Sequence, residues 1–410
     1  MSGSPIELAE ARGAVLARAA ALADEEVALG EALGRRLAEP IVAGAPLQAF
    51  DNSAMDGFAV CAADTASATP ASPVALEMVG ESRAGRPAAL TLDRGTAIAI
   101  STGAMLPEGA DAVVRVEATR RQDGHVLVEA GVRPGSDVRR TGEDVAAGET
   151  VVGRGTALGP AELGVIAALG RGTVRCHRRP RVAIVTSGDE LAPPGEPLRP
   201  GAIHDSNSHS VPALARLAGA EIDSIASAPD EPEATREAIE AALEADVAIV
   251  CGGVSVGEHD HVKGAFERLG VEQVFWRLAL KPGGPAWFGK RGATLAFGLP
   301  GNPVSAMVVF TLLIRPALIA LAGGRPEQLR TVAALAEDHE KRPGRAHALR
   351  CRLELTPRGW LAHPAPRQGS HILSSMVGAD CLALVPTASA GLRAGEPVEV
   401  ELLDRVSMAS

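Results

Sequence analysis

Acidic side chains follow three predicted strands in the middle of the chain, and two basic side chains stand within or directly after a fourth. Glu190, Asp230 and Asp260 each stand where a short β-branched, apolar run ends. Carboxylates that converge beside bound phosphates usually hold Mg²⁺, although Asp260 could equally cap a helix. Arg277 and Lys281 are four residues apart on a predicted strand, so they share a face and could bind one anion, unless they only form a solvated edge. These residues predict oxygen-rich phosphate chemistry.

A glycine-rich turn, "GGVSVGEHD", begins at residue 252. Gly252, Gly253 and Gly257 would let several backbone N–H groups approach an anion, although they could serve only a tight strand-to-helix turn. Ser255 sits in a G-x-S-x-G pattern typical of a hydrolase nucleophile, but no HGGG-type oxyanion loop accompanies it. Zn²⁺ is not indicated, because the sequence contains neither a C-x-x-C pair nor an H-E-x-x-H motif.

The segment "GLPGNPVSAMVVF", residues 298–310, places two prolines and two glycines directly before an apolar run. Pro300 and Pro303 fix φ, and Asn302 is a good helix N-cap with Pro303 at the first helical position. The segment therefore predicts a shaped loop that leads into a buried helix.

Residues 177–326 alternate short apolar runs with helical patterns, which is typical of βαβ units on a mostly parallel sheet. Right-handed crossovers put the carboxyl ends of parallel strands at one edge, where ligands bind in open α/β sheets. We therefore expect one pocket built from "TSGDE", "APDEPE", "CGGVSVGEHD", "KPGGP" and "GLPGNP". The predicted strands cover 181–187, 221–227, 246–252, 274–280 and 294–300.

The rest of the chain predicts a multidomain α/β plus β protein. Short strands between Gly, Pro and Asp turns predict an inserted β-rich domain at 46–142, and alternating strands predict a small barrel-like domain at 327–410. Residues 1–45 and 143–176 form a helical and linker domain around the insertion. The inserted domain and its border carry four further candidate residues: Asp56, Thr102, Arg139 and Asp144. The many turns predicted in these segments would by themselves explain much of their polar composition.

Composition excludes several classes of function. A formal net charge of −10 argues against a nucleic-acid or anionic-membrane protein. The apolar stretch 304–322 is interrupted by Arg315 and Pro316, which favours a buried helix over a membrane span. Five widely spaced cysteines indicate a reducing cytoplasm. Ser4 and Glu7 have the spacing of a capping box, so the first residues predict an amphipathic helix and not a signal peptide.

Seven motifs, taken together, resemble the molybdopterin molybdenumtransferases, a family of molybdenum insertases that includes the C-terminal domain of gephyrin. They occur in family order over nearly the whole chain: "DNSAMDGFAV", "STGAMLPEGADAVV", "VRRTGEDVAAGE", "TSGDEL", "GGVSVGEHD", "LALKPGGP" and "GLPGNPVSAMVVF". The chain departs from the family pattern at Gly284, where the family has lysine, and at Phe58, where it has tyrosine.

The resemblance implies an enzyme of molybdenum cofactor synthesis that takes adenylylated molybdopterin and molybdate and releases molybdenum cofactor and AMP with the help of Mg²⁺. It also implies an elongated homodimer of four-domain subunits, whose site lies between the α/β domain of one subunit and the inserted domain of the other. Other proteins of molybdenum cofactor synthesis are candidate partners. Matching family positions are Asp56, Thr102, Arg139, Asp144, Glu190, Asp230, Asp260, Lys281, Pro300, Pro303, Arg350 and Ser370, with a basic position at Arg277.

On this basis Glu190 and Asp260 are expected to hold Mg²⁺ on the phosphoanhydride, while Lys281 and Arg277 neutralise an anion. Arg350 and Ser370 are expected to position molybdate. Two other classes of function stay open at this stage. One is a non-catalytic carrier or scaffold dimer for the pterin cofactor, and the other is a serine hydrolase that uses Ser255.

Overall fold

The protein, seen in a computed structural model, divides into two compact units. The structure describes residues 4–254, 261–326 and 330–403. Unit 1 contains Met1–Glu39, Gly155–Gly159 and Thr173–Ser410, and unit 2 contains Pro40–Arg154 and Pro160–Gly172.

A six-stranded sheet forms the centre of unit 1. Its antiparallel strand, Trp287–Arg291, lies between two strands that run in the common direction. The carboxyl ends of the other five strands therefore meet at one edge, as the predicted βαβ pattern requires. The strand order is Glu221–Ala228, Arg181–Ser187, Val247–Cys251, Thr294–Leu299, Trp287–Arg291 and Glu272–Trp276.

Helices cover both faces of this sheet, because alternate residues of its central strands are apolar on both sides. In strand Arg181–Ser187, Val182 and Ile184 enter one apolar cluster, whereas Ala183 and Val185 enter the other. Helices Leu8–Leu16, Asn207–Leu217, Pro303–Val309 and Arg315–Leu321 contribute to the first cluster. Helices Pro232–Ala242 and Val262–Arg268 contribute to the second.

The predicted helix after "GLPGNP" is confirmed. It runs from Pro303 to Leu321, with Asn302 as N-cap and a π-helical turn at Phe310–Ile314. In a regular α-helix the ring of Pro316 would clash with the carbonyl of Leu312. The π-helical turn contains Leu312, so the helix is wider where this clash would occur. By length and composition the helix could cross a membrane, but 89% of its apolar window is buried inside the protein, which is typical of a core helix.

A second six-stranded sheet ends unit 1, and it closes into a small barrel as predicted. Closure comes from pairing of the long strand Ala346–Thr356 with Cys381–Val385. The order is Leu280–Lys281, Ala346–Thr356, Gly359–Pro364, Arg330–Leu335, Pro397–Leu402 and Cys381–Val385. Three further two-stranded pairs are Asp24–Ala28 with Thr173–His177, Leu191–Ala192 with Ile203–His204, and His339–Glu340 with Gly391–Leu392.

Unit 2 is built on a mixed six-stranded sheet with an Ala- and Val-rich core. The order is Ala112–Arg115, Gly57–Val60, Thr96–Ile100, Val74–Ser82, His125–Val128 and Thr119–Gln122. Two short pairs join Ile41–Val42 to Thr150–Val152 and Asn52–Ser53 to Val138–Arg139, and Pro160–Ala168 is helical.

Two local predictions are wrong. The predicted strand 274–280 ends at Trp276, because Arg277 adopts a positive φ of 74° and the chain then leaves the sheet. Lys281 belongs to a strand of the barrel, so it does not share a strand face with Arg277. The first helix begins at Leu8, not after Ser4, because Ile6 pairs with Leu278 in a β-bridge.

Candidate functional site

A pocket of about 340 Å³ lies at the carboxyl edge of the central sheet in unit 1. All five loops that the sequence predicts to converge contribute to it. We call it the strand-end pocket. It is lined by Ser187, Gly188, Glu190, Asp230, Gly252, Gly253, Val254, Pro285, Pro300, Gly301 and Asn302.

Reciprocal hydrogen bonds hold the two acidic loops of this pocket together. The Ser187 hydroxyl donates to Asp230 Oδ1 at 3.0 Å, and the Asp189 N–H donates to Asp230 Oδ2 at 3.4 Å. In return the Asp230 N–H donates to Asp189 Oδ1 at 3.1 Å. The Asp230 carboxylate thus links its own loop to the loop of Ser187 and Asp189. Glu190, the next residue of that loop, adds a second, exposed carboxylate to the pocket lining.

Gly252 ends the strand Val247–Cys251 in a conformation that only glycine adopts easily. Its φ is +104°, and its N–H donates to the Leu299 carbonyl at 2.9 Å. A Cβ at this position would lie 2.4 Å from the Ser187 carbonyl oxygen. The glycine therefore lets three strand ends approach closely enough to form one pocket wall.

Substitution Gly252→Ala is expected to destabilise unit 1 by about 2–4 kcal/mol, because backbone strain at positive φ adds to a steric clash. The matched control is Gly264→Ala, since Gly264 lies in helix Val262–Arg268 and a Cβ there meets nothing within 4 Å. Urea unfolding followed by tryptophan fluorescence measures both, because all three tryptophans lie in unit 1. Equal unfolding midpoints for the two variants would contradict this account of Gly252.

A second pocket of about 410 Å³ adjoins the strand-end pocket and shares Pro285, Pro300 and Asn302 with it. We call it the adjoining pocket. Asn302 caps the long helix without a side-chain bond to it, and its amide donates instead to the Ser370 hydroxyl at 3.4 Å. The other lining residues are Leu280, Lys281, Pro282, Gly283, Gly284, Ser305, Arg345, Gln368, Gly369 and Ser370.

The charges of the adjoining pocket favour an anion. Lys281 and Arg345 are both cationic, and none of the described residues that line this pocket is acidic. Potential of one sign in a concave site concentrates ligands of the opposite sign. The adjoining pocket is therefore suited to an anion, whereas the strand-end pocket offers carboxylates.

Arg350 lies behind the wall of the adjoining pocket and is only 1% exposed. Its guanidinium donates to the Gly369 carbonyl at 3.2 Å, the Ser375 hydroxyl at 3.2 Å and the Ala348 carbonyl at 3.5 Å. Burial lowers the pKa of this guanidinium from its usual value. The Gln368 side chain also bonds both backbone polar groups of Arg350, so the loop that carries Ser370 is tied to the barrel.

Arg277 lies apart from the described linings of both pockets. Its guanidinium stacks on the Trp276 ring, 4.4 Å from the centroid, and the Trp276 indole N–H donates to the Val254 carbonyl at 3.1 Å. The Arg277 side chain is thus linked to the strand-end pocket through Trp276 and Val254, and its backbone N–H donates to the carbonyl of Ala286, next to the lining residue Pro285. Pro303 begins the long helix and is also absent from both described linings.

Two of the candidates in unit 2, Asp56 and Thr102, are hydrogen-bonded to each other. Asp56 Oδ1 accepts the Thr102 N–H at 2.8 Å. Arg139 lies in a short strand bonded to Asn52, and Asp144 lies in the turn that follows this strand. An ion pair lies next to Arg139 in the chain, in which Arg140 Nη1 contacts Asp51 Oδ2 at 2.6 Å. The sequence did not predict that these two residues pair.

Three predicted site residues, Ser255, Gly257 and Asp260, lie outside the described residues. The predicted Mg²⁺ pair of Glu190 and Asp260 therefore stays a prediction. Within the described ranges, no group of three or more His, Cys, Asp or Glu side chains gathers as a metal site. The sequence did not name Asn302 or Asp189 as site residues, although both stand in loops, "GLPGNP" and "TSGDE", that were predicted to build the pocket. It missed Arg345 and Gln368, which line the adjoining pocket and stand in none of the quoted motifs.

Comparisons with known proteins cover most of the chain. Residues 6–170 match the MoeA N-terminal region (domain I and II), residues 183–320 match a probable molybdopterin binding domain, and residues 332–403 match the MoeA C-terminal region (domain IV). The molybdopterin molybdenumtransferase of Haemophilus influenzae is 36% identical over 92% of this chain and 93% of its own. Molybdopterin molybdenumtransferase 2 of Mycobacterium tuberculosis is 44% identical over 74% of this chain and 76% of its own.

A solved structure of a related protein has the same fold over nearly the whole chain. The crystal structure of a molybdopterin biosynthesis MoeA protein from Pyrococcus horikoshii matches with a TM-score of 0.82 and 34% identity, over 97% of this chain and 99% of that one. These findings confirm the family that the seven motifs predict. The chain belongs to the molybdopterin molybdenumtransferase family.

Proposed function

We propose that this protein is a transferase of molybdenum cofactor synthesis that inserts molybdenum from molybdate into adenylylated molybdopterin and releases AMP. The observation that carries the proposal is the pair of pockets that share Pro285, Pro300 and Asn302. A carboxylate-lined pocket beside a cation-lined pocket suits a phosphate-bearing substrate and a separate oxyanion that must meet. The names of the relatives, molybdopterin molybdenumtransferases, support a molybdopterin substrate and a source of molybdenum.

In this proposal the strand-end pocket binds the substrate's phosphates through the backbone of Gly252 and Gly253, and Pro300 shapes its wall. Mg²⁺ suits the donor set, because it prefers carboxylate oxygen and keeps several waters, and Glu190 supplies a carboxylate. When bound, Mg²⁺ would neutralise charge on the phosphates. Asp230 positions the loop that carries Glu190 through its bonds to Ser187 and Asp189.

The adjoining pocket binds molybdate in this proposal. Lys281 neutralises the oxyanion, the Ser370 hydroxyl donates to it, and Arg350 supports the loop of Ser370 from behind. Cleavage of a phosphoanhydride depends on charge neutralisation and orientation more than on a covalent nucleophile. This requirement fits cations beside a loop that hydrogen bonds hold in place.

The proposal also includes a homodimer of four-domain subunits in the cytoplasm, with Asp56, Thr102, Arg139 and Asp144 as functional residues of unit 2. Their match to family positions supports these roles. All five cysteines are free thiols, which agrees with a reducing compartment.

The test mixes the protein with adenylylated molybdopterin and Mg²⁺, with and without molybdate, and measures the released AMP by chromatography. The proposal predicts release that depends on molybdate. Tight binding of the substrate without release under both conditions would favour a pterin carrier or scaffold instead.

A further inference from the structure

The adjoining pocket contains a second cation, Arg345, to which no role has yet been given. Lys281 and Arg345 are the charged side chains among the described residues that line this pocket. Two positive charges without a lining carboxylate match one doubly charged anion. A singly charged anion of the same shape would leave one cation without a counterion.

Hydrogen bonds fix the peptide unit that joins Arg345 to Ala346. The Ala346 N–H donates to the Ala279 carbonyl at 2.7 Å, and the Lys341 ammonium donates to the Arg345 carbonyl at 2.9 Å. Lys281 stands on the strand that pairs with the one beginning at Ala346. The two cations therefore enter the pocket from adjacent, hydrogen-bonded segments of backbone.

The two arginines near this pocket differ in what their guanidinium groups can do. Arg350 is buried, and its guanidinium bonds to backbone carbonyls and a hydroxyl of its own barrel. Arg345 is exposed and lines the pocket. A planar guanidinium donates two parallel hydrogen bonds to an oxyanion, and a fixed Cα lowers the entropy cost of this contact.

We infer that Arg345 binds the oxyanion directly, and that Arg345 and Lys281 together select a tetrahedral dianion over a tetrahedral monoanion. The inference rests on the proposed function for the identity of molybdate as the dianion. It assigns the direct guanidinium contact to Arg345 and leaves Arg350 as a positioning residue.

The test compares Arg345→Gln with Arg342→Gln. Arg342 is an exposed arginine three residues earlier and does not line the adjoining pocket. Arg345→Gln should raise the molybdate concentration for half-maximal AMP release by about 10- to 100-fold, which is the loss of a charge-assisted hydrogen bond, with little change in maximal rate. Arg342→Gln should stay within about twofold of the unsubstituted protein, since a surface charge outside the pocket contributes little.

Charge selectivity gives a readout that a merely structural role would not change. Tungstate is a tetrahedral dianion and perrhenate is a tetrahedral monoanion, so their affinities can be compared by calorimetry on the purified protein without the pterin substrate. The unsubstituted protein should prefer tungstate strongly, and Arg345→Gln should reduce that preference, whereas Arg345→Lys should keep most of it.

Two results would overturn the inference: an unchanged ratio of tungstate to perrhenate affinity in Arg345→Gln, or no tungstate binding by the unsubstituted protein. Calorimetry also separates this inference from the proposed function. If tungstate binds through Arg345 but AMP release never depends on molybdate, the proposed reaction fails and the dianion site remains.

Discussion

Glu401→Ala is expected to lower the free energy of unfolding of unit 1 by about 3–5 kcal/mol, the usual cost of removing one partner of a buried ion pair. Glu401 is fully buried and contacts three arginines, at 3.1 Å from Arg12 Nη1, 2.8 Å from Arg315 Nη2 and 2.7 Å from Arg330 Nε. Arg12 and Arg315 are themselves buried, so the variant leaves their charges in the interior without this carboxylate.

The matched control is Glu399→Ala, two residues earlier on the same strand. Glu399 also pairs with Arg330, at 2.6 Å, but its side chain is about half exposed, so its loss should cost no more than about 1 kcal/mol. Urea unfolding monitored by tryptophan fluorescence again reports on unit 1. If Glu401→Ala lowered the urea midpoint no more than Glu399→Ala does, that result would contradict the structural role given to the Glu401 carboxylate.

Glu190→Gln is expected to reduce the rate of AMP release by about 10²- to 10³-fold, as removal of one preorganised electrostatic group typically does. The substitution keeps the size of the side chain and removes the carboxylate that the strand-end pocket offers to Mg²⁺. The Mg²⁺ concentration needed for half-maximal rate should also rise, because a neutral amide is a weaker ligand for a hard cation.

Glu196→Gln serves as the control for this measurement, since Glu196 is exposed, lies in the same segment between strand Arg181–Ser187 and helix Asn207–Leu217, and does not line either pocket. Rates for the three proteins are compared over a Mg²⁺ titration with molybdate at saturation. Full turnover of Glu190→Gln with an ordinary Mg²⁺ dependence would remove Glu190 from the proposed metal site.

The strand-end pocket could be predicted from sequence because its determinants are local. Short apolar runs fix the strands, and βαβ handedness places their carboxyl ends at one edge. Residues with strong conformational preferences then mark the loops. Pro303 begins the long helix as predicted, and Asn302 is its N-cap.

The adjoining pocket could not be predicted in the same way, because it depends on pairing between distant segments. The apolar run "VFWRLAL" has no feature that shows where the chain leaves one sheet for another, although Arg277 at positive φ marks that point in the structure. Strand pairing in the barrel brings Lys281 and Arg345 to the same pocket. The same limit applies to Arg12 and Glu401, which are 389 residues apart in sequence.

Burial explains why motif matching gave an incomplete description of the arginines. Arg350 matches a family position, but sequence does not reveal that its guanidinium is buried behind Gly369. Arg345 stands in no motif, yet it lines the pocket. Motifs therefore located the region of the site, whereas only the structure separated side chains at the wall from side chains behind it.

The most direct test of the central claim is a single-turnover titration. Protein in excess over adenylylated molybdopterin is mixed with Mg²⁺ and with amounts of molybdate that increase from below to above the amount of substrate, and released AMP is quantified. If molybdenum insertion and AMP release are one reaction, AMP should rise in proportion to the molybdate added and stop when the substrate is consumed. AMP release of the same amount at every molybdate concentration, including none, would contradict the account.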